Sequence, residues 1–345
     1  MSQISILKYS DIPDAFWAEQ TNILFHSKEW IEVLRKSYNI EFLLAQDPAS
    51  GNFLLFGIID NPFEKKLVGL PFSDYAGEDN ISCNKAFEII SAVQKEYPSH
   101  EIFYKSRFSI DENLRGSIPI KSACYHRIEI KGKNTEALLK LQSSSFKRGA
   151  RKAVQEGVKI EKVFSKNDIK EFYELYTTLR LEKFNLIPQP FIFFENIYEL
   201  FLKENRGFIL KASFDNIAIG VIIVLEFNDG WYYKFGASHK DYLEKRPNNL
   251  LFQEVIKLAS EAGSKFIDLG MSGSGENYEG LRRFKKAMGG KKYPLTLVKH
   301  PALNPENRQM KDKQILNNLT SLIVTQKPSL NKISSMSEFL YPFFA

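Results

Sequence analysis

Cysteine is scarce in this chain, and its histidines form no metal-binding pattern. The 345 residues include two cysteines, Cys83 and Cys124, and five histidines. Two distant thiols cannot staple a chain of this length, and no HExxH, HxH or CxxC spacing occurs. The sequence therefore argues against a disulfide scaffold and against a zinc hydrolase, and we predict no bound metal.

Long apolar runs and export signals are also missing. The longest strongly apolar stretch, residues 217–227, is shorter than the roughly 18 residues that a membrane-spanning helix needs. The first residues contain neither a basic region nor an apolar leader region. We therefore expect no transmembrane segment and a cytoplasmic location.

The common nucleotide and nucleophile motifs are absent or incomplete. No GxSxG motif occurs, which argues against a serine hydrolase of the elbow type. One GxxxxG match, at residues 270–275, is followed by Glu276 and Asn277 where a P-loop needs Lys and Ser or Thr. The same segment lacks the third glycine of a dinucleotide fingerprint, because residue 278 is Tyr. A kinase, a P-loop ATPase and a nicotinamide enzyme therefore lose their main support.

The positive charge that is present is clustered. The net charge is only +6, from 47 basic and 41 acidic residues, but two segments are strongly basic. Residues 281–292 carry six basic side chains and no acidic one, and residues 147–152 carry four. Such a segment is either a solvated surface or a site for a polyanion or for ligand phosphates, and the sequence leaves both open.

The order of predicted elements occurs twice along the chain. In the second half, residues 208–214, 217–227 and 231–237 read as three strands joined by turn residues, followed by a helix from 249 and a strand at 265–269. The first half repeats the pattern: its predicted strands are 42–46, 53–59 and 66–70, its helix is 84–97 and its closing strand is 101–108. The first strand precedes the helix by 42 residues in one half and by 41 in the other.

This repeat predicts a duplicated α/β (α+β) unit with a mixed, mostly antiparallel sheet flanked by helices. A further aromatic-rich helix precedes each copy, at 28–37 and at 168–183. We predict an N-terminal domain at 1–134, a C-terminal domain at 135–303 and a tail at 304–345, with a cleft between the domains. A charged, Gly-containing stretch at 131–134 suggests the first boundary.

A Gly-rich loop after the strand at 265–269 is the best candidate for a ligand site. The loop GMSGSGENYEG leads into a helix whose first turns contain Arg282, Arg283, Lys285 and Lys286. Main-chain N–H groups at a helix start, together with nearby cations, favour anion binding. A turn without a ligand is the alternative. Asp268 is either a general base or a cap for its own loop.

Several segments in combination resemble the Fem-type (FemAB-like) peptidoglycan-bridge aminoacyltransferases and related GNAT-fold acyltransferases. The resemblance spans about residues 20–300. It rests on KRGARKAVQEGVKI (147–160, read as a basic helix), FYELYTTLR (172–180), WYYKFGASHKDYLEKRPNNLLFQEVI (231–256), FIDLGMSG (266–273), GLRRFKKAMGG (280–290) and LPFSDYAG (70–77).

The resemblance implies two tandem GNAT-like domains and an N-acyl or aminoacyl transferase. Such an enzyme passes an acyl group to an amine on a sugar-linked or peptide acceptor, in cell-wall peptidoglycan or polysaccharide synthesis. It implies Phe284 and Lys285 at the donor carbonyl, with the Phe284 main chain helping to hold the oxyanion and the Lys285 ammonium supporting the phosphate or ribose end of the donor. The donor site would also include Gly270, Ser272, Gly273, Arg282 and Arg283, and the acceptor site Asp74, Tyr75, Arg180 and Tyr233.

The donor and the role of nucleic acid stay open. No tightly bound cofactor is expected, and the co-substrate is an acyl-CoA or an aminoacyl-tRNA. The acetyl-CoA signature [Q/R]xxGx[G/A] is absent at all 19 glycines, and no long helical-hairpin insertion occurs. Since no nucleophile constellation is present, we expect direct transfer without a covalent acyl-enzyme. The alternative function is a non-catalytic module that binds nucleic acid or another polyanion.

Overall fold

The computed structural model describes residues 4–19, 22–76, 81–107, 118–304 and 311–345. Two positions of the predicted elements, Gly77 and Phe108, lie outside these ranges. The strands are β1 (Ser5–Lys8), β2 (Glu41–Gln46), β3 (Phe53–Asn61), β4 (Glu64–Val68), β5 (Glu101–Ser106), β6 (Ile118–Glu129), β7 (Lys159–Val163), β8 (Gly207–Phe214), β9 (Ile217–Phe227), β10 (Gly230–Ser238), β11 (Phe266–Gly273) and β12 (Lys291–His300).

Helices alternate with these strands in both halves of the chain. They are α1 (Asp14–Glu19), α2 (Lys28–Tyr38), α3 (Cys83–Glu96), α4 (Thr135–Leu141), α5 (Ser144–Gln155), α6 (Lys166–Glu182), α7 (Phe191–Ile197), α8 (Pro247–Glu261), α9 (Glu279–Ala287), α10 (Lys311–Thr325) and α11 (Leu330–Leu340). The segment 147–160, read from the sequence as one basic helix, is helical only to Gln155, and β7 begins at Lys159. Gly157 has a φ of +83° there, which ends the helix.

The chain divides into two compact units. Unit 1 comprises Met1–Tyr125, Tyr293–Leu316 and Leu340–Ala345. Unit 2 comprises His126–Lys292 and Asn317–Phe339. The limits that the sequence suggests, 134 and 303, differ from this division because most of β12 belongs to unit 1, although it follows unit 2 in sequence.

The strands of the two units follow the same order and the same directions. In unit 1 the order is β1-β2-β3-β4-β5-β12, and in unit 2 it is β7-β8-β9-β10-β11, with β6, of which the last residues belong to unit 2, beside β11. The first four strands of each unit pair antiparallel, and the fourth and fifth pair parallel. The predicted duplication of a mixed, mostly antiparallel sheet is confirmed. The sixth strand was not predicted correctly: β6 directly follows β5 in the chain but lies beside β11 in the sheet.

Helices cover both faces of the sheet in unit 2. Gly220 and Ile223 lie three residues apart on β9, so they point to opposite faces. A Cβ on Gly220 would lie 3.2 Å from Leu251 of α8. Phe235 pairs with Ile223 across the strands, and its ring contacts Tyr176 of α6 at 6.3 Å. Since α6 packs on one face and α8 on the other, β9 is buried on both sides and is apolar along most of its length.

The tail after residue 303 folds into α10 and α11. The predicted helix at 313–324 lies within α10. In unit 2, the main-chain N–H of Phe191 donates to Ser334 Oγ of α11 at 3.0 Å. None of the helices in the described ranges is long and apolar enough to cross a membrane.

Each unit contains one buried histidine whose pKa is low. Burial, and then the positive charges of Lys285, Lys292 and Arg282, lower the pKa of His126 to about 4. Burial alone lowers the pKa of His300 to about 4. The unfolded chain, with histidine pKa values near 6.5, binds more protons than the folded chain between pH 4 and 6.5. Each histidine therefore contributes stability that is complete above about pH 6.5 and is lost as the pH falls towards 4.

We expect the free energy of unfolding to fall by about 2 kcal/mol per histidine between pH 7.5 and pH 5. Replacing His126 or His300 by Gln should reduce the pH dependence by about this amount, as measured by urea unfolding at both pH values. His239→Gln, at a partly exposed position, serves as the matched His-to-Gln substitution. An unchanged pH dependence in His300→Gln would contradict the assignment.

Candidate active site

Strands β10 and β11 stop pairing well before either strand ends. Their parallel pairs run from Gly230 with Phe266 to Tyr232 with Asp268, while β10 continues to Ser238. Gly270 has a φ of +76°, which glycine adopts without strain, and its N–H donates to the Asp268 carboxylate at 2.7 Å. This local turn ends the regular course of β11. Asp268 is 1% exposed and caps its own loop, as one of the two sequence readings proposed.

A cavity of about 800 Å³ lies in unit 2 where the two strands part. Its lining comes from α6 on one face of the sheet and from α8 on the other, as well as from β10, β11 and α9. The cavity therefore reaches from one face of the sheet to the other through the gap between β10 and β11. Residues that line it include Glu174, Tyr233, Gly236, Phe252, Leu269, Phe284 and Lys285.

Lys285 is a buried cation beside this gap. The residue is 3% exposed and lies in the lining of the cavity. Its Nζ donates to the carbonyl oxygens of Gly270 at 2.8 Å and of Met271 at 3.0 Å. The ammonium group is thus held in place by the irregular segment of β11, and it supplies positive charge in a site with little water.

The two arginines predicted to bind an anion near the Gly-rich loop lie close to polar groups of the protein itself. Arg282 donates to the carbonyl oxygens of Gly273 and, at 3.0 Å, of Gly275. Arg283 is exposed and lies 3.7 Å from Glu279. Neither arginine lines the large cavity, and the same is true of Gly270, Ser272 and Gly273. Among the predicted donor-site and catalytic residues, only Phe284 and Lys285 border it.

Phe284 contributes its side chain to the site. Its ring lies between Phe146 of α5 and Phe252 of α8, with centroid distances of 5.6 and 5.8 Å. It is the sixth residue of α9, where a main-chain N–H is used by the helix itself. Its carbonyl accepts from Met288 N. The predicted role of this main chain as an oxyanion donor therefore does not fit the geometry.

The residues predicted for the acceptor do not all reach this cavity. Tyr233 lines it and packs on Phe252. Arg180 donates to the Ile187 carbonyl at 3.3 Å and lies outside the lining. Tyr75 is fully buried in unit 1, where the Arg107 guanidinium lies 4.7 Å from the centre of its ring. A fully buried phenol cannot contact a substrate in this conformation. Asp74, next to it, is partly exposed in unit 1.

A second cavity of about 730 Å³ in unit 2 is strongly basic. Its cations are Arg148, Arg151 and Lys152 of α5, and Arg246 just before α8. The first three share one face of the helix because they are spaced three and four residues apart. No acidic side chain lines this cavity, and it shares Phe284 with the larger one. The sequence revealed the charge cluster at 147–152 but not its location.

Metal coordination finds no support in these sites. Within the described ranges, no group of three or more His, Cys, Asp or Glu side chains is arranged to hold a metal ion. The free cysteines are also remote from the lining: Cys124 is buried in β6, Cys83 is at the start of α3, and neither borders the two cavities.

Comparison with known proteins agrees with this architecture. Residues 142–286 match the family model "Acetyltransferase (GNAT) domain". A crystal structure of FemX has a TM-score of 0.57 at 13% identity, covering 82% of this chain and 94% of that one. The structure of L-PGS from Bacillus licheniformis has a TM-score of 0.52 at 11% identity, with 91% and 95% covered.

A tandem GNAT protein from the clavulanic acid biosynthesis pathway, solved without AcCoA, has a TM-score of 0.51 at 8% identity and covers 88% of this chain and 100% of that one. No curated protein sequence matches the chain. At these identities the structural likeness is one of fold, and the GNAT domain model covers the part of unit 2 that holds both cavities. Residues 142–286 are therefore similar to a GNAT acetyltransferase domain, and the chain shares its fold with FemX and with the tandem GNAT protein.

Proposed function

We propose that the protein transfers an acyl or aminoacyl group from a phosphate-bearing carrier to an amine, in the synthesis of the bacterial cell envelope or of a polysaccharide. The observation that carries the proposal is the cavity through the β10–β11 gap, with Lys285 at its wall and the basic cavity beside it. The likeness in fold to FemX, to L-PGS and to a domain of a putative lysylphosphatidylglycerol synthetase from Agrobacterium fabrum favours envelope chemistry over other acyl transfers.

The two faces of the gap would receive different substrates. The carrier would lie in the basic cavity on the α5 and α8 side and extend its acyl group past Phe284 into the gap. The acceptor amine would enter the large cavity along α6. A route through the sheet brings the amine to the carbonyl carbon while the carrier stays outside, which is the positioning that direct transfer requires.

In the reaction, the amine nitrogen bonds to the carbonyl carbon and the bond from that carbon to the carrier oxygen or sulfur breaks. The amine loses one proton, and the leaving group takes one. Negative charge develops on the carbonyl oxygen, and the fixed Lys285 ammonium would stabilise it together with main-chain N–H groups of β10 along the gap. Tyr233 would orient the acceptor from the same wall.

The hydroxyl groups of the cavity are not arranged as nucleophiles. Ser238 Oγ donates to the Asn248 side chain at 2.8 Å, and Thr178 Oγ1 donates to the Glu174 carbonyl at 2.9 Å. Neither hydroxyl donates to a histidine or a carboxylate that could take its proton. The geometry thus favours direct transfer without a covalent acyl-enzyme.

The carrier is an acyl-CoA or an aminoacyl-tRNA, since both bear phosphates on the molecule that carries the activated acyl group. Arg148, Arg151, Lys152 and Arg246 would bind those phosphates as charge-assisted donors. The roles of Asp74 and Arg180 towards a charged acceptor remain predictions from the resemblance. Arg283, exposed at the start of α9, remains a predicted donor contact.

A transfer assay tests this function directly. The purified chain is incubated with acyl-CoAs or aminoacyl-tRNAs and a mixture of amines that includes amino sugars and peptides, and amide products are detected by mass spectrometry. We expect one donor class to yield product. The absence of any amide, together with tight binding to random-sequence single-stranded DNA, would instead support the polyanion-binding alternative.

Reversing the charge of the basic cavity should specifically weaken binding of the donor. We expect Arg148→Glu with Arg151→Glu to raise the donor KM about tenfold or more and to reduce the slope of log affinity against log salt by about one to two. Lys147→Glu on the same helix is the matched control, because Lys147 does not line the cavity. Equal losses in the control and the double variant would refute this donor site.

A further inference from the structure

Four exposed apolar side chains line the large cavity. Phe184 is 48% exposed, Ile217 45%, Leu243 43% and Leu281 40%, and all four belong to its lining. We call these four residues the apolar rim. Exposed large side chains are common singly, but four in the lining of one cavity are typical of a ligand groove.

The apolar rim is assembled from four separate segments. Phe184 follows α6, Ile217 begins β9, Leu243 lies between β10 and α8, and Leu281 is on α9. These positions are adjacent only because the fold of unit 2 brings the segments together. A cavity of about 800 Å³ lies in the range that holds whole drug-sized ligands, so it has room for far more than a small acyl group and an ammonium.

Of the four acidic side chains that line the cavity, Glu174 and Asp241 form no ion pair with a lysine or an arginine in the described ranges, and Asp241 lies 3.8 Å from His239. Glu171 lies 3.1 Å from Lys211, and Glu182 lies 2.6 Å from Lys240. Glu174 of α6, which lines the same cavity, forms no ion pair with any residue in the described ranges. It supplies negative charge on the face of the sheet where the acceptor would enter.

We propose that the acceptor of this transferase is an amphiphilic amine, with a bulky apolar group close to the reacting nitrogen. The apolar rim takes the apolar group, and Glu174 attracts the ammonium form as it enters. The inference rests on the function proposed above and specifies its acceptor. In the transfer, the neutral amine forms the C–N bond, the carrier's C–O or C–S bond breaks, and the amine proton ends on the leaving group or in solvent.

Binding of simple amines, measured without any donor, separates recognition of the apolar group by the rim from recognition of the ammonium by Glu174. Isothermal titration of the full-length chain compares n-octylamine, ethylamine and octanoate at pH 8. Each methylene removed from water improves affinity about threefold to fourfold, so octylamine should bind about 30-fold or more tighter than ethylamine even with partial burial. Glu174→Gln should narrow the difference in affinity between octylamine and octanoate, which separates the contribution of Glu174 from that of the lysines Lys183 and Lys285 in the same lining.

Substitutions at the rim and at Glu174 locate the effect. We expect Phe184→Ser and Leu243→Ser each to weaken octylamine binding about threefold to tenfold. Phe339→Ser is the matched control, since Phe339 is 72% exposed and lies outside the cavity. Glu174→Gln should weaken octylamine binding, and Glu261→Gln at the exposed end of α8 should not. All five positions are exposed, so these variants should fold.

The outcomes distinguish this inference from the function on which it rests. Equal affinities for octylamine and ethylamine, or rim variants that bind octylamine as the wild type does, would overturn the amphiphilic acceptor even if polar amines are acylated. Selective octylamine binding that is lost in the rim variants would uphold the rim site. If the chain then acylated no amine with any donor, the transferase proposal alone would fail.

Discussion

Lys285→Met is expected to lower kcat/KM for acyl transfer by about a hundredfold to a thousandfold. The ammonium is a preorganised charge at the wall of the gap, and the loss of one such donor to a developing oxyanion costs about 2.7 to 4 kcal/mol in well-studied cases. Met has a similar length and no charge, so the change removes the electrostatic contribution with little change in packing. Steady-state kinetics with the identified donor and acceptor measure the effect.

The same substitution should also cost stability. The carbonyl oxygens of Gly270 and Met271 lose the donor that now binds them at 2.8 and 3.0 Å. An unsatisfied buried acceptor costs about 1 to 3 kcal/mol, so urea unfolding should show a loss of that size. The stability loss is measured separately so that kinetics are compared only under conditions where the variant is folded.

Lys286→Met is the matched control for this experiment. Lys286 is the next residue on α9, is exposed, and does not line the cavity. The substitution Lys286→Met removes the same formal charge from the same helix. If both variants lose activity equally, the effect comes from the general charge of the helix, and the assignment of Lys285 to the site is wrong.

Gly270→Ala is expected to abolish most of the transfer activity, lowering kcat/KM by about tenfold or more. Gly270 has a φ of +76°, and a residue with a Cβ pays about 1 to 2 kcal/mol to adopt this left-handed conformation. An extended backbone at residue 270 would relieve that strain. It would also let β11 continue pairing with β10 past Asp268. The gap that admits the acyl group would then narrow, and the carbonyl that Lys285 binds would move.

Gly263→Ala is the control that separates the cost of backbone strain from the loss of transfer activity. Gly263 follows α8 with a φ of +69°, and an added Cβ meets no atom within 4 Å. Its backbone penalty should therefore be similar, and urea unfolding should show comparable losses of about 1 to 2 kcal/mol for both variants. Activity should fall only in Gly270→Ala. A loss of activity in both variants would show that the lowered stability, not the geometry of the gap, is responsible.

Local sequence signals predicted the elements well where both faces or one face of an element are buried. The run at 217–227 matches β9, and the helix and strand predictions of both halves agree with α3, α6, α8, β5 and β11 to within a few residues. The turn residues Asp215 and Asn216 have positive φ values, as a hairpin of this kind requires. The strands missing from the predicted repeat were β1, β6, β7 and β12.

The site shows the same contrast between local pattern and spatial position. Lys285 and Phe284 came from the resemblance, and the cavity borders both residues. Arg282 was also chosen for its charge, yet its guanidinium donates to the carbonyls of its own loop. Sequence spacing places Arg282 and Lys285 on one short helix, but it does not say which neighbour each cation will meet. Glu174 and the apolar rim carry no motif at all.

The amino-acid sequence alone determined the duplicated pattern of strands and helices, because hydrophobic period and turn chemistry act between near neighbours. The tertiary structure decided the rest. The pairing of β6 with β11 and of β12 with β5 joins residues far apart in the chain. The end of the β10–β11 ladder, the cavity behind it and the burial of Lys285 all depend on that assembly. Charge in a sequence shows which residues can bind an anion, but burial and hydrogen-bond geometry, which only the folded chain sets, decide which of them do.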